Sequence, residues 1–561
     1  GRWAGGPVGR WAGGPVGRWA GGPVGRWAGG PNLPSTQHAT RNTFSHHPDP
    51  VNRYLALTLL LAACGGPRRS STIQYYLTNE PRSLDPALST DVPSGEMVAM
   101  LYDGLTQFDQ DGHLLPGLAS RWDIDAASTT YTFHLRAGIK FHDGSALTAE
   151  DVAGSWRRAL DPKTGGGRAW PLLPIAGARA FVAGTATDIP GIRVVDDTTL
   201  VVRLETPLSV FPKLIAMPVA AVAPSPLPAD FADHPVGSGP WRFAAWDRGS
   251  ELRVARNPDY WGAEKAEVDS LRVRIIPEAL TIAAEYEAGL LDVAEVPFPE
   301  TARWEQAHPT EIQRRPTIRQ LYVAINTTRG PLKDVRVRQA LNYATDGVTI
   351  LRTVMGGRGV RTGGALPPGL AGYDSTLAPY PFDIAKAKAL LTQAGYPNGV
   401  DLELWRTSRS EYGRLSQSFQ QSWAEAGFRV TILERDGPTA RAASAKGEAD
   451  LFLTDWYADY PDAEAFLFPL FHSSNRGTGG NRAFLSDPEL DRLTSTMRAS
   501  TDTLEQARLA RLADARAHEL APWVFLWAPV DLWALTPDLT GWRVPAIFNG
   551  QHWTGVRFTT P

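Results

Sequence analysis

Residues 131–136, Tyr-Thr-Phe-His-Leu-Arg, alternate apolar and polar side chains with a period of two. That pattern predicts a strand with Tyr131, Phe133 and Leu135 on one face. The period then changes: Val152, Trp156 and Leu160 recur every four residues behind Thr148, a good helix cap, with Asp151 three positions on as a weak capping box. Alternation returns over residues 320–325, after which Asp334 opens a helix with Val337, Leu341 and Ala344 on its apolar side. A helix over residues 383–394 stops at Gly395, a turn follows at Pro397-Asn398-Gly399, and Val400, Leu402 and Leu404 mark the next strand. Leu415, Phe419, Trp423 and Ala426 then share a helical face, and Phe428, Val430 and Ile432 a strand face. This order predicts parallel α/β units between residues 319 and 524, within an α/β fold class.

One apolar run fits neither period. Residues 55–63 are almost wholly apolar, Arg53 precedes them, and Cys64, the only cysteine of the 561-residue chain, follows. The run is short of the ~20 residues needed to span a bilayer, and Gly65-Gly66-Pro67 breaks any helix directly after it. A positive charge, a short apolar stretch and small residues before the cysteine are the layout of a lipoprotein signal. Leu61-Ala62-Ala63-Cys64 resembles a lipobox, so Cys64 is expected to carry the lipid and to tether an exported protein on the extracytoplasmic side of the cell membrane. Upstream, Gly-Arg-Trp-Ala-Gly-Gly-Pro-Val occurs in three full copies from residue 1 to 24 and a truncated fourth. Eight-residue units rich in Gly and Pro do not build a packed repeat array. Val51 could be read from a GTG start codon, so residues 1–50 are expected to be translated upstream sequence and 51–63 the signal peptide.

From Cys64 onward the chain has 498 residues with 50 basic and 58 acidic side chains, a net charge of −8 against −3 for the whole. Such a balance argues against nucleic-acid binding. The length exceeds the ~250–300 residues at which single cores stop growing, so two or three domains are expected. With one cysteine no intramolecular disulfide is possible. No Gly-x-Ser-x-Gly, His-Glu-x-x-His, phosphate loop or complete Gly-x-Gly-x-x-Gly occurs. Phe141-His142-Asp143-Gly144 reads as a turn. The triple glycine 165–167 before Arg168 reads as a flexible loop, with an anion cradle as the alternative. The eight histidines after residue 64 are dispersed, so no metal site and no cofactor are expected.

A series of motifs changes this picture. Glu80-Pro81-Arg82-Ser83-Leu84-Asp85-Pro86-Ala87, Leu101-Tyr102-Asp103-Gly104-Leu105, Pro116-Gly117-Leu118-Ala119, Thr132-Phe133-His134-Leu135-Arg136, Phe141-His142-Asp143-Gly144, Gly237-Ser238-Gly239-Pro240-Trp241, Arg256-Asn257-Pro258-Asp259-Tyr260-Trp261, the run from Asp334 to Leu341, and Trp456-Tyr457-Ala458-Asp459-Tyr460-Pro461-Asp462 follow one another along the chain. In this order they resemble the family-5 extracellular solute-binding proteins, and within them the oligopeptide-binding lipoproteins of ABC importers. The resemblance implies a two-lobed periplasmic binding protein-like fold of three domains with two hinge crossings and a ligand cleft between the lobes. A discontinuous domain I would take residues 71–115, 235–318 and 525–561, domain II residues 116–234, and domain III residues 319–524. It also implies a monomeric, non-enzymatic receptor that hands peptides to a permease. Asp459 would bind the ligand's α-ammonium, Trp456 would line the pocket, and the backbones of Tyr457 and Val92 would run beside the peptide. A peptide sensor without a transporter, or a receptor for dipeptides, sugars, nickel complexes or opines, remains open, and a secreted hydrolase lacks every expected signature.

The chain departs from the family's pattern at two places. Where oligopeptide receptors carry an arginine three residues before the Trp stands Leu453, and where an acid often precedes the Val-Pro pair stands Thr90, with Asp91 next to it. No carboxylate clamp is therefore expected unless Arg168 or Arg435 supplies one.

Overall fold

The computed structural model describes residues 71–477 and 480–559. The repeats, the signal segment and Cys64 lie outside the described residues. No helix among the described residues is long and apolar enough to cross a membrane.

Three sheets carry the fold. The first has four strands in the order Thr72–Leu77, Ser270–Ile275, Glu251–Arg256, Trp241–Asp247, with only the first pair parallel. The second is antiparallel, in the order Ala119–Ile124, Thr130–Leu135, Thr199–Arg203, Ile192–Asp196. Tyr131, Phe133 and Leu135 are buried on one face, as the alternation requires. The expected helix is Ala149–Leu160, with Thr148 N donating to Asp151 Oδ2 at 2.8 Å.

The third sheet has eight strands, and its long strand Trp523–Leu535 belongs to both lobes. Its first half pairs with Arg319–Ile325 and Gly359–Arg361, and its second half with Ile312–Pro316 and Val293–Glu295. Partners change around Pro529 and Val530, where Thr317 N donates to the Pro529 carbonyl at 3.1 Å. Two crossings therefore run side by side, one near Thr317 and one near Pro529. The strands Val400–Thr407, Phe428–Arg435 and Leu451–Tyr457 are mutually parallel where they pair, as expected. Arg319–Ile325, however, is antiparallel to both its neighbours, which corrects the all-parallel expectation for residues 319–524. For the pair with Trp523–Leu535 the reason is topological: one strand enters the second lobe at the hinge and the other leaves it there, so the two must run in opposite directions.

Four of the motifs, those at residues 101–105, 141–144, 237–241 and 256–261, converge on one joint. Asp103 Oδ2 accepts from Ser238 Oγ at 2.9 Å and Trp261 Nε1 at 2.8 Å, and its Oδ1 accepts from the Tyr260 hydroxyl at 3.2 Å. Asn257 Nδ2 donates to the Gly239 carbonyl at 2.9 Å. His142 accepts from Gly237 N at 3.2 Å and donates through Nε2 to the Gly239 carbonyl at 3.0 Å. Burial pushes that imidazole down to about 4, so it is a neutral bridge, consistent with the turn reading.

The lobes meet. Tyr131, Trp156 and Phe211 share one continuous buried cluster with Phe466, Leu467 and Met497. Ser209 N donates to the Arg498 carbonyl at 3.3 Å, Gln506 Nε2 donates to Ser209 Oγ at 2.7 Å, and Lys213 pairs with Asp462.

Candidate functional site

Beside the crossings lies a cavity of about 220 Å³. Its first wall is the helix Val92–Leu101. Asp91 caps it, its Oδ1 accepting from Ser94 N at 2.9 Å, and Pro93 stands in the first turn. Val92, Glu96 and Met100, four residues apart, then face the cavity together. Its second wall is the hinge region itself. Asp531 and Trp533 alternate onto one face of the long strand, Glu295 sits opposite Trp533, and Arg319 sits opposite Tyr457. Trp542, Phe548 and Trp553 come from the C-terminal segment.

Its electrostatics are uneven. Burial pushes Glu96 up to about 8. Burial and the Asp531 charge push Glu295 up to about 7, while Arg358 and Arg319 oppose them. Asp531 is raised by burial against the same two arginines. Arg319 is held by Asp455 at 2.6 Å, and Asp455 also accepts from the Tyr412 hydroxyl at 3.0 Å and meets Arg409 at 3.3 Å. Against the effect of burial, those charges hold the Asp455 carboxyl well below the usual range.

Of the residues singled out above, Val92 and Tyr457 line this cavity and are 44% and 36% exposed. Trp456 is half-buried and donates Nε1 to the Ala465 carbonyl at 2.9 Å. Thr90 stands just before the capping Asp91. Arg168 and Asp459 pair with each other at 2.5 Å. Burial raises the Asp459 carboxyl, and the Arg168 charge opposes it. Arg168 lines a small adjoining hollow with Asp91, Met217 and Phe548, and Phe548 lines both spaces. Within the triple glycine only Gly166 is closely packed, since a Cβ there would stand 2.1 Å from the Ala87 carbonyl oxygen, while Gly165 and Gly167 face open space. Leu453 is fully buried in the core of the C-terminal lobe and faces no ligand space.

Glu96, Glu295, Asp531, Arg319, Trp533 and Trp542 were missed, because they come from segments hundreds of positions apart. Glu96 alone had a signal, its four-residue spacing from Val92. Among the described residues Asp109, Asp111 and His113 cluster. Arg315 and Arg543 already hold Asp111 at 3.0 and 2.9 Å, however, and the Asp109 carboxylate accepts the backbone N–H groups of Asp111 and His113.

Known proteins share this plan. The family model of bacterial extracellular solute-binding proteins, family 5 middle, matches residues 113–478. The glutathione-binding protein GsiB of Pectobacterium atrosepticum is 32% identical over 474 residues, covering 82% of this chain and 89% of its own length. The heme-binding protein A of Haemophilus influenzae is 29% identical over 542 residues, covering 89% and 97%. The structure of the ABC transporter-associated periplasmic binding protein DppA from Helicobacter pylori, in complex with peptide STSA, superposes with a TM-score of 0.73 at 26% identity, covering 88% of this chain and 98% of that one. With a family model matching well over half of its length, this chain belongs to the family-5 bacterial extracellular solute-binding proteins.

Proposed function

We propose that the protein is an extracytoplasmic receptor for peptides that delivers them to the permease of an ABC importer. The observation that carries this reading is the aromatic-walled cavity beside the two crossings, where closure of the lobes can enclose a ligand. On this reading Val92 and Tyr457 border the peptide backbone, and Asp459 takes its α-ammonium, sharing its charge with Arg168. Domain I takes residues 71–115, 235–318 and the C-terminal segment, domain II residues 116–234 and domain III residues 319–524. The last boundary, between residues 524 and 525, falls in the long strand a few residues before its partners change at residues 529–530. Cys64 carries the lipid anchor, and the receptor acts as a monomer without cofactor or catalysis.

The relatives named for glutathione and heme set the alternatives to be distinguished. Native mass spectrometry of freshly purified protein is expected to show co-purified peptides, released on denaturation, and calorimetry should then give saturable binding of tripeptides. Binding of glutathione or heme, with no binding of any tripeptide, would replace the peptide reading.

A further inference from the structure

The hinge cavity is more acidic than a neutral solute requires. Glu96, Glu295 and Asp531 reach it from three separate elements. Among the described residues, no hydrogen bond or ion pair within 4 Å engages any of the three carboxyl groups. The neighbouring cations are mostly engaged elsewhere, although Arg358 Nη2 has no hydrogen-bond partner among the described residues and the charges of Arg358 and Arg319 reach Glu295 and Asp531. Arg319 is held by Asp455. Arg358 does not line the cavity; it donates to the Val296 carbonyl at 2.6 Å and the Val530 carbonyl at 3.2 Å and lies 4.2 Å from the Phe298 ring centroid.

Much of the remaining wall is aromatic, from Tyr75, Tyr457, Trp533, Trp542, Phe548 and Trp553, with Val92, Met100, Val544, Pro545 and Gln551 between them. Ring faces attract a cation through their quadrupole. A second and independent feature is that Trp542, 2% exposed, and Trp533 line the same space with indole N–H groups that have no acceptor among the described residues. An apolar group entering here would leave three carboxyls and two N–H donors without partners, and any charge on the acids would oppose an anion. A positively charged group neutralises the acids, and a peptide carbonyl next to it answers the indoles. The volume suits one long side chain: about 220 Å³ is the liquid share of about seven waters, and an arginine side chain has seven heavy atoms.

We infer that the hinge cavity is a subsite for a basic side chain of the bound peptide, lysine ammonium or arginine guanidinium, so that the preferred ligands are cationic peptides. This rests on the peptide reading above. Burial raises the Glu96 and Glu295 carboxyls, and a bound cation would draw their protons off.

The test is calorimetry on the full protein at pH 7.5. The probes are Arg-Ala-Ala, Ala-Arg-Ala and Ala-Ala-Arg, each against its citrulline counterpart, which keeps shape and loses charge; trialanine and spermidine complete the set. In at least one register arginine should bind about tenfold tighter than citrulline, and Glu295→Gln or Asp531→Asn should cut that preference to about threefold or less. Equal affinity for arginine and citrulline in every register overturns the inference while trialanine binding leaves the peptide reading standing. A preference that survives in both variants overturns it as well. If no peptide binds but spermidine does, and the variants weaken it, the cation subsite stands and the peptide reading falls; if neither binds, both fall. The wild-type comparison decides the question even if a variant fails to fold.

Discussion

Arg168 Nη2 donates to Asp459 Oδ1 at 2.5 Å, tying the glycine-rich loop of one lobe to the turn after the strand Leu451–Tyr457 in the other. The carboxylate assigned to the ligand's ammonium is therefore already paired with a cation in this structure. A ligand ammonium must share it or displace the guanidinium. In Arg168→Gln the competition disappears, so the preference for a free over an N-acetylated peptide should grow by about tenfold, close to 1.4 kcal/mol. Calorimetry of one peptide in both forms checks this. An unchanged ratio would remove Asp459 from the role of anchor.

Gly239 is placed by close packing. A Cβ there would stand 2.5 Å from the Met100 carbonyl oxygen, at the end of the helix that carries Glu96 into the cavity. Neither backbone can retreat, because Gly239 N donates to the Leu101 carbonyl at 3.0 Å. Gly239→Ala should cost about 2–4 kcal/mol of stability, the range of steric conflicts in packed interiors. Urea unfolding measures it, and a loss under about 0.5 kcal/mol would show that the joint has slack.

Local elements were legible from side-chain periodicity, because Thr148, Asp334 and Asp383 announce helices through short-range hydrogen bonds and Tyr131, Phe133 and Leu135 announce a face by alternation. The motifs that carry the family likeness turned out to be mostly scaffold: Asp103, Ser238, Asn257 and Trp261 hold one another and touch no ligand space in the hinge. The cavity was largely illegible. Asp531 and Glu295 meet only because two strands cross between lobes, and nothing local in either segment encodes that meeting. The antiparallel direction of Arg319–Ile325 was hidden for the same reason, since it depends on where the chain later returns.

Asp514 is a buried acid outside the cleft. Its Oδ1 accepts from Ala365 N at 2.7 Å, and burial pushes its carboxyl up to about 7 despite that bond. Its folded value thus lies above the unfolded one of about 3.9. Between those values the folded state holds more protons than the unfolded state, so stability falls as pH rises and the loss is complete above about pH 7. Asp514→Asn should match the wild type near pH 4 and exceed it by about 2–4 kcal/mol at pH 8. Denaturant titrations at the two pH values test this, and a variant less stable at pH 8 would show that the ionised carboxylate is needed.

Cys64 lies outside the described residues, and its prediction stands on the run before it. A serine hydroxyl cannot form the thioether to the lipid, so Cys64→Ser should move the protein from the membrane fraction to the soluble one. Fractionation without detergent and immunoblotting decide it. Membrane association equal to wild type would rule out the anchor.

The last prediction concerns the ligand's other end. Leu453, at the position where related receptors carry an arginine, is fully buried in the core, so it cannot reach a carboxylate. Arg168 is engaged by Asp459, and Arg319 by Asp455. The cavity's own acids, Glu96, Glu295 and Asp531, offer a second anion no favourable charge. A free carboxylate terminus therefore meets no uncommitted guanidinium among these residues, and amidation removes a negative charge from an acidic site. C-terminal amides should bind equally well or up to about threefold tighter than free acids, a change under 1 kcal/mol. Peptides of two to eight residues, each titrated as acid and amide, test this across lengths. Affinity should vary smoothly with length, because the N-terminus and one side chain set the register. A sharp optimum at one length, lost by about tenfold on amidation, would mean that a carboxylate clamp exists and that the ligand is gripped at both ends.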